Sequence, residues 1–483
     1  MKLTEEQERA IAIEGKSIAI VAGAGSGKTE TLAERIKADQ ARGIDPGKQV
    51  AITFTRFAGE ELRARIERKG AKPPNHVGTL HSWAFRSISN LGDNRPAYGT
   101  FRVINDKEYT SIIKEIIDKS KRKMPISEAR QVAMESGGTA GNAKVMGMMI
   151  RNFMMRRKLI HADLMLSMFC AELQLGTAIP DGMQLYVDEF QDTAGIDATI
   201  YKLIRETYDA GFYAVGDWRQ AIYGFRGASA THFQSLFVEA DETASLTKNW
   251  RSGPTICEVA NRIAAGIPSP EFVTLDMESN GKPDQVNEAE FETAEQEALA
   301  IMAWVTDQRE KGIKEIAILT RYNQGVALIA GVLRGNGIAV QASTDQAKLE
   351  DAATDLDIDA LMAMSIEPTE EAWKQALASV GASLAAQSAL AGRLARIETS
   401  DEIIDVLRMA DAEPVADKIW VSTIHAAKGL EWESVWLAGL DEKAFKPTID
   451  DRCLSFVGVT RAKTNLMITY AKSRQSHTRE VGL

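Results

Sequence analysis

Gly23-Ala24-Gly25-Ser26-Gly27-Lys28-Thr29 follows the apolar run 18–22 and precedes a helical-looking stretch at 31–37. A strand, a glycine-rich turn ending in Lys-Thr and then a helix form the context of a phosphate-binding loop. The glycines let successive backbone N–H groups converge on phosphate oxygens, and the helix N-terminus adds partial positive charge. Lys28 has the reach for the β- and γ-phosphates of a nucleotide, and the Thr29 hydroxyl suits Mg2+. The candidate nucleotide-binding stretch runs from Ala22 to Glu30.

Two further strand ends carry polar groups of the right kind. Asp188 and Glu189 follow Leu185-Tyr186-Val187. At the end of a strand, one such acid can hold a metal ion while the other orients and deprotonates an attacking water. In a chain with a phosphate loop, Asp188 is the expected metal ligand and Glu189 the expected base. After the strand-like 212–215 comes Gly216-Asp217-Trp218-Arg219-Gln220, then Tyr223, Phe225 and Arg226. Gln220 is placed to hydrogen-bond a γ-phosphate or the attacking water. Tyr223 and Phe225 suit stacking on nucleic-acid bases, although aromatic residues at such spacing also serve as core.

The elements positioning these groups alternate. Short β-branched runs at 50–54, 184–187, 212–215, 315–319, 418–424, 434–438 and 465–469 are separated by helical-period segments such as 59–66. That alternation predicts parallel α/β layers with ligand loops at strand C-termini. Two stretches break the rhythm. Residues from about 90 to 178 are rich in Met, Ile, Lys and Arg, and those from about 343 to 414 in Ala, Leu, Asp and Glu. Both read as helical insertions. The second α/β half has no phosphate loop of its own.

The 483 residues are too many for one ordinary core. Hydrophobic residues make up 45% and charged residues 26%, within the globular range. The net charge of −10 speaks against a nucleic-acid partner until its distribution is considered. Residues 107–158 hold 12 Lys/Arg against 5 Asp/Glu, and residues 343–418 hold 6 against 16. The basic block suits phosphate contacts, and the acidic block accounts for the deficit. Cys170, Cys257 and Cys453 are far apart and form no disulfide or metal pattern. With no apolar signal core and no run of roughly 20 apolar residues, a cytoplasmic protein without a membrane partner is expected.

Longer motifs occur in a fixed order. They are 3–7, the phosphate loop, Ala51–Ala58, Gly78–Trp83, Val187–Thr193, Val215–Ala228, Lys248–Ser252, Val421–Glu431 and Phe456–Ala462. From Thr4 to about Tyr470 the chain resembles the UvrD/Rep/PcrA-type superfamily 1 DNA helicases, as a compact member with a shortened second insertion.

The resemblance implies two RecA-like parallel-sheet motor domains in tandem, each with a mainly helical insertion. The expected first motor domain comprises 1–89 and 179–253, with a basic helical insertion at 90–178. The expected second comprises 254–342 and 415–483, with a short acidic helical insertion at 343–414. For the nucleotide, the resemblance implies that Gln7 reads the adenine edge and Trp250 stacks on its face. Glu431 accepts a ribose hydroxyl beside Lys428 and Gly429, while Arg251 and Arg461 reach the γ-phosphate from the second domain. For DNA, it implies contacts from Phe54, Thr55, Arg56, Thr79, His81, Trp83, Tyr223, Phe225, Arg226 and His425. Trp218-Arg219 departs from the family, whose members usually carry acids there.

The implied activity is an ATP- and Mg2+-dependent, 3′→5′ single-stranded DNA translocase and helicase acting at single/double-strand junctions. An ATP-gated DNA-sensing or loading subunit of a larger DNA-processing or defence complex is the alternative. A small-molecule phosphotransferase is disfavoured by the second α/β half and the Arg461 motif. About 20 residues follow the last motif, so a nuclease is expected only as a partner in trans.

Overall fold

The computed structural model describes residues 3–91, 101–134, 141–176, 178–270, 273, 275–343, 369–379, 417–439, 446 and 448–471. The chain forms two compact units, Met1–Lys248 with Ser269–Asp276, and Asn249–Pro268 with Met277–Leu483.

Unit 1 opens with α1 (Glu5–Ala12), β1 (Ser17–Ala22) and α2 (Lys28–Ala41), then β2 (Gln49–Ile52), α3 (Arg56–Arg68), β3 (His76–Gly78) and α4 (Leu80–Asn90). The insertion follows as β4 (Arg102–Val103), α5 (Asp106–Ser120), α6 (Ile126–Met134), α7 (Asn142–Arg156), β5 (Leu159–Ile160) and α8 (Ala162–Gln174). The framework resumes with β6 (Gln184–Val187), α9 (Gly195–Thr207), β7 (Gly211–Gly216), α10 (Ala230–Glu239) and β8 (Glu242–Leu246).

The main sheet has the order β3-β2-β6-β7-β1-β8, with every neighbour parallel. All six residues of β1 are buried, which explains its continuous apolar sequence: helices cover both faces of a parallel sheet. Ile18, Ile20, Leu32, Ile36, Leu62, Tyr186 and Val215 join one core. Parallel register matters for function. Ile52 pairs with Val187, Val187 with Ala214 and Val21 with Gly216, so the turns after β1, β2, β6 and β7 leave one common edge.

The insertion has its own core of Tyr109, Ile113, Ile116, Val132, Met146, Ile150 and Met154. It is mainly helical, with one short parallel pair in which Arg102 faces Leu159.

Unit 2 comprises α11 (Pro254–Ala264), β9 (Gln285–Phe291), α12 (Ala294–Glu310), β10 (Ile316–Thr320), α13 (Asn323–Gly335) and β11 (Val340–Ala342). Then come α14 (Glu370–Ser379), β12 (Ile419–Thr423), β13 (Trp432–Leu437), α15 (Ile449–Val459) and β14 (Ala462–Ala471). Its sheet, β11-β12-β10-β13-β14-β9, is again parallel throughout. Ile301, Val305, Ile318, Val421 and Trp436 lie in its core. The architecture is two tandem RecA-like α/β domains.

The passage into unit 2 falls at Lys248/Asn249, before the expected 253/254, because Asn249–Ser252 is bonded within unit 2. Asn249 N–H donates to Glu278 O at 2.7 Å and Ser252 Oγ to Ala462 O at 2.7 Å. Of the expected acidic insertion at 343–414, all but Ser343 and 369–379 lies outside the described residues.

Gly147 in α7 marks a close approach to α6, where an added Cβ would stand 2.3 Å from the Val132 carbonyl oxygen. Alanine favours a helix interior over glycine by about 1 kcal/mol. Forcing an extra carbon into a packed interface costs about 1–3 kcal/mol, and here the obstacle is backbone. Gly147→Ala is therefore expected to destabilise the insertion, seen as faster amide hydrogen exchange across α6 and α7. Unchanged or slower exchange there would refute this packing account.

Candidate nucleotide site and nucleic-acid interface

In unit 1 the glycine turn joins β1 to α2 as the sequence requires. Gly27 is left-handed at φ +84°, and a Cβ there would lie 2.8 Å from Gln7 Nε2. The Gln7 amide is buried and bound to the loop. Its Nε2 donates to Ser26 O at 3.1 Å, and its Oε1 accepts from Thr4 N in the cap of α1. Gln7 thus braces the loop from the side. Lys28 Nζ donates to Ala22 O at 3.3 Å, folded across its own turn. The Glu30 side chain is paired with Lys69 and Arg65, which leaves its backbone as its means of meeting a phosphate.

Thr29 Oγ1 donates to Asp188 Oδ2 at 3.1 Å, joining the phosphate loop to the end of β6. Burial, then the adjacent Glu189 charge, push the Asp188 carboxyl up to about 7, against the opposing charge of Lys28. A crowded carboxylate beside a hydroxyl is a hard-oxygen donor set, which suits a hydrated Mg2+. The residues fit that ion.

Glu189 has left-handed backbone, φ +51° and ψ +44°. For a non-glycine residue this conformation persists only where surrounding bonds fix it. Two do so: Glu189 N–H donates to Asp188 Oδ1 at 2.9 Å, and Gln191 Nε2 donates to Glu189 Oε2. Gln191 also accepts the Asp217 N–H through Oε1 at 2.9 Å. From there Asp217 Oδ2 accepts from Gln220 Nε2 at 2.9 Å. The expected base and the expected γ-phosphate sensor are thus two ends of one buried network. Sequence reasoning gave Gln191 and Asp217 no role, although both lie inside motifs already singled out. An amide two residues after the base was the available signal.

Past Gln220 the same loop turns outward. Tyr223 stacks on Phe54 with ring centroids 4.9 Å apart and meets Phe225 edge-on at 6.0 Å. Phe225 is 71% exposed. Phe54, Tyr223 and Phe225 therefore form one aromatic strip spanning the turns after β2 and β7. Thr55 and Thr79 cap α3 and α4, their hydroxyls accepting from Ala58 N and Ser82 N. Arg56 is half-buried and His81 exposed, while the Arg226 side chain lies outside the described residues. Trp83 requires a correction. It is buried and packs edge-on against Phe169 across α4 and α8, so its ring is core rather than a stacking surface.

In unit 2, Arg251, Glu431 and Arg461 gather where β13 and β14 begin. Arg251 Nε lies 2.5 Å from Glu431 Oε2, and its NH1 donates to Thr460 O at 2.8 Å. Desolvation pushes Glu431 up, but the Arg251 and Lys463 charges outweigh it and hold the carboxyl below the usual glutamate range. Arg461 donates to Val457 O at 2.9 Å and to Leu430 O at 3.1 Å. Its buried guanidinium thereby pins the segment carrying Glu431. Lys428 is half-buried and Gly429 left-handed, φ +88°. Trp250 is 36% exposed.

His425 follows β12 at the other end of the sheet. Tyr322, half exposed after β10 with Arg321 over its ring at 5.2 Å, shares that edge. Sequence reasoning passed over Tyr322, since a lone aromatic after a strand carries no motif.

Two family models match almost the entire chain. The UvrD/REP helicase N-terminal domain matches residues 3–176 and 180–240, and the UvrD-like helicase C-terminal domain matches 244–372 and 389–473. The chain belongs to the UvrD/REP helicase family. It is 25% identical to the ATP-dependent DNA helicase UvrD2 of Mycobacterium tuberculosis over 98% of this chain and 79% of the relative. It is 27% identical to the ATP-dependent DNA helicase PcrA of Staphylococcus epidermidis and 26% to that of Staphylococcus aureus. Those two matches cover 66% of this chain and 48% of each PcrA, so the matched part is about half of that protein.

The aromatic strip and the correction at Trp83 are tested together. Phe225→Ala is expected to weaken single-stranded DNA binding by about 1–3 kcal/mol in a fluorescence anisotropy titration. Trp83→Phe is expected to leave that affinity within error, whereas Trp83→Ala lowers folding stability by about 3–5 kcal/mol. Loss of DNA affinity in Trp83→Phe would return that ring to the interface.

Proposed function

We propose that this protein is an ATP-driven motor that moves 3′→5′ along single-stranded DNA and separates strands at single/double-strand junctions. The observation that carries the reading is the loop after β7. Within it, Gln220 is bonded through Asp217 and Gln191 to Glu189, and five residues later Phe225 stands exposed for a base. One short loop thus reaches the hydrolytic carboxylate through Gln191 and also carries a stacking surface. Base–aromatic stacking is tolerant of base identity, which suits a motor that must pass any sequence.

In this reading the backbone of Gly23–Gly27 and the Lys28 ammonium hold the triphosphate. Thr29 and Asp188 would hold Mg2+, which would supply charge neutralisation for the phosphates. Glu189 takes the proton of the attacking water, with its carboxylate aimed by Gln191. Trp250 stacks on the adenine, Glu431 accepts the ribose hydroxyl, and Arg251 and Arg461 stabilise charge on the γ-phosphate. For either arginine to do so, contacts within its own unit must be exchanged for phosphate oxygens. That exchange makes the response to ATP conformational as well as chemical. The 3′→5′ direction rests on family membership. Among the described residues no helix is long and apolar enough to cross a membrane, and a cytoplasmic site of action agrees with three buried cysteines that form no disulfide.

Glu189→Gln is expected to bind ATP normally and to lose about 100-fold or more of its DNA-stimulated turnover, the scale of a missing general base. Retained turnover would displace Glu189 from that role. The Tyr223→Ala/Phe225→Ala double variant is expected to hydrolyse ATP while failing to unwind. Strand displacement on duplexes with a 3′ or a 5′ tail reads both this uncoupling and, with the unaltered protein, the direction.

A further inference from the structure

Trp218 and Arg219, adjacent in the loop after β7, are both buried. A buried guanidinium must be paired, and Arg219 is paired in two directions. Its Nε and NH2 grip both carboxylate oxygens of Asp217 at 2.8 and 3.1 Å, while NH1 donates to Leu275 O at 2.5 Å. The Trp218 indole N–H donates to Ser269 Oγ at 2.8 Å, and its ring packs on Phe233 and Phe237 of α10. Burial raises the Asp217 carboxyl, but the charge of Arg219 and its hydrogen bonds hold it below the usual range.

Ser269 and Leu275 occupy a particular place in the chain. Residues 249–268 and 277–483 build unit 2, and the segment between them, Ser269–Asp276, belongs to unit 1. The chain therefore returns to unit 1 for eight residues before re-entering unit 2. That returning strap is fastened near its start by Trp218 and near its end by Arg219. Arg219 fastens it to Asp217, the residue that also receives Gln220 and, through Gln191, communicates with Glu189. An acid at position 219 would repel Asp217 and could not donate to a carbonyl. An acid at 218 could neither donate an indole N–H nor fill the space beside Phe233.

We propose that Trp218 and Arg219 are positioning residues that couple the nucleotide-sensing loop to the strap 269–276, so that a shift of Asp217 and Gln220 on ATP binding is transmitted to the chain segment joining the two parts of unit 2. The proposal rests on the reading of this protein as a DNA-stimulated ATPase. Its structural half, the response of the strap to nucleotide, does not require DNA.

Two measurements on the full-length chain test it. Amide hydrogen exchange of 269–276, with and without a non-hydrolysable ATP analogue, is expected to change in the unaltered protein. In Arg219→Lys, which keeps a charge for Asp217 but loses the fork that also reaches Leu275, that change is expected to vanish. Steady-state ATPase assays then compare Trp218→Phe, Ser269→Ala and their double variant, which remove the indole–hydroxyl bond and leave the aromatic packing. DNA-independent kcat and the KM for ATP are expected to stay within about two-fold, while stimulation by single-stranded DNA falls about five-fold, the low end of usual intersite coupling. The double variant is expected to be no worse than either single one, as two ends of one bond must be. An exchange pattern at 269–276 that ignores nucleotide, or undiminished DNA stimulation in all three variants, overturns the coupling. An unaltered protein that hydrolyses ATP without any response to DNA refutes the motor reading instead, and the exchange experiment still decides the strap.

Discussion

Gln191 holds together the chemistry of the first unit. Its side-chain amide is fully buried, with one end on the Glu189 carboxylate and the other on the Asp217 backbone N–H. A buried amide must spend both its donor and its acceptor, and these two partners lie on the turns after adjacent strands. Gly216 leaves the room this requires, since a Cβ there would stand 2.6 Å from Gln191 Oε1. The left-handed backbone of Glu189 is tolerated because the same amide and the Asp188 carboxylate hold it on either side. Loss of Gln191 would leave the expected base without an orienter and the loop after β7 without its anchor.

Charge around this amide is balanced unevenly. Asp217 is buried and held ionised by Arg219, whereas buried Asp188 is crowded by Glu189 and drifts towards neutrality. One carboxylate therefore has an internal cation and a structural duty. The other lacks a comparable partner, and the Thr29 hydroxyl beside it completes a donor set that a divalent cation would satisfy. Both acids stand just beyond a strand, Asp188 beside Glu189 and Asp217 three residues before Gln220, yet their different partners shift them in opposite directions.

Much of this was legible in the sequence, for identifiable reasons. The strands at the centre of each sheet are largely buried on both faces, so β1, β6, β7, β10, β12 and β13 show as mostly apolar, aromatic or β-branched runs. Strands β3, β8, β9 and β11 were passed over because they are sheet edges. In β9, for example, Gln285, Asn287, Glu288 and Glu290 are exposed, so polar residues conceal its period. At the site, motif residues with a chemical role in their own right, such as Lys28, Thr29, Asp188 and Glu189, could be read directly. Gln191 and Asp217 act only through other residues, which spacing along one chain does not show. Trp83 failed in the opposite sense: its position in a DNA-contacting motif said nothing of the Phe169 that covers it.

Unit 2 separates its two kinds of candidate residue along its strands. Glu431 immediately precedes β13 and Arg461 immediately precedes β14, while Tyr322 and His425 follow the ends of β10 and β12. Because all six strands are parallel, the first pair lies on one edge of the sheet and the second pair on the other. Strands of five or six residues place those edges about 17–20 Å apart. No side chain spans that distance. A pull exerted on Arg251 and Arg461 by a phosphate would have to be carried by the strands, whose Ile318, Val421 and Trp436 are buried in one core. What would reach Tyr322 and His425 in that case is a movement of the sheet as one body, with no local relay needed between the two ends of the strands.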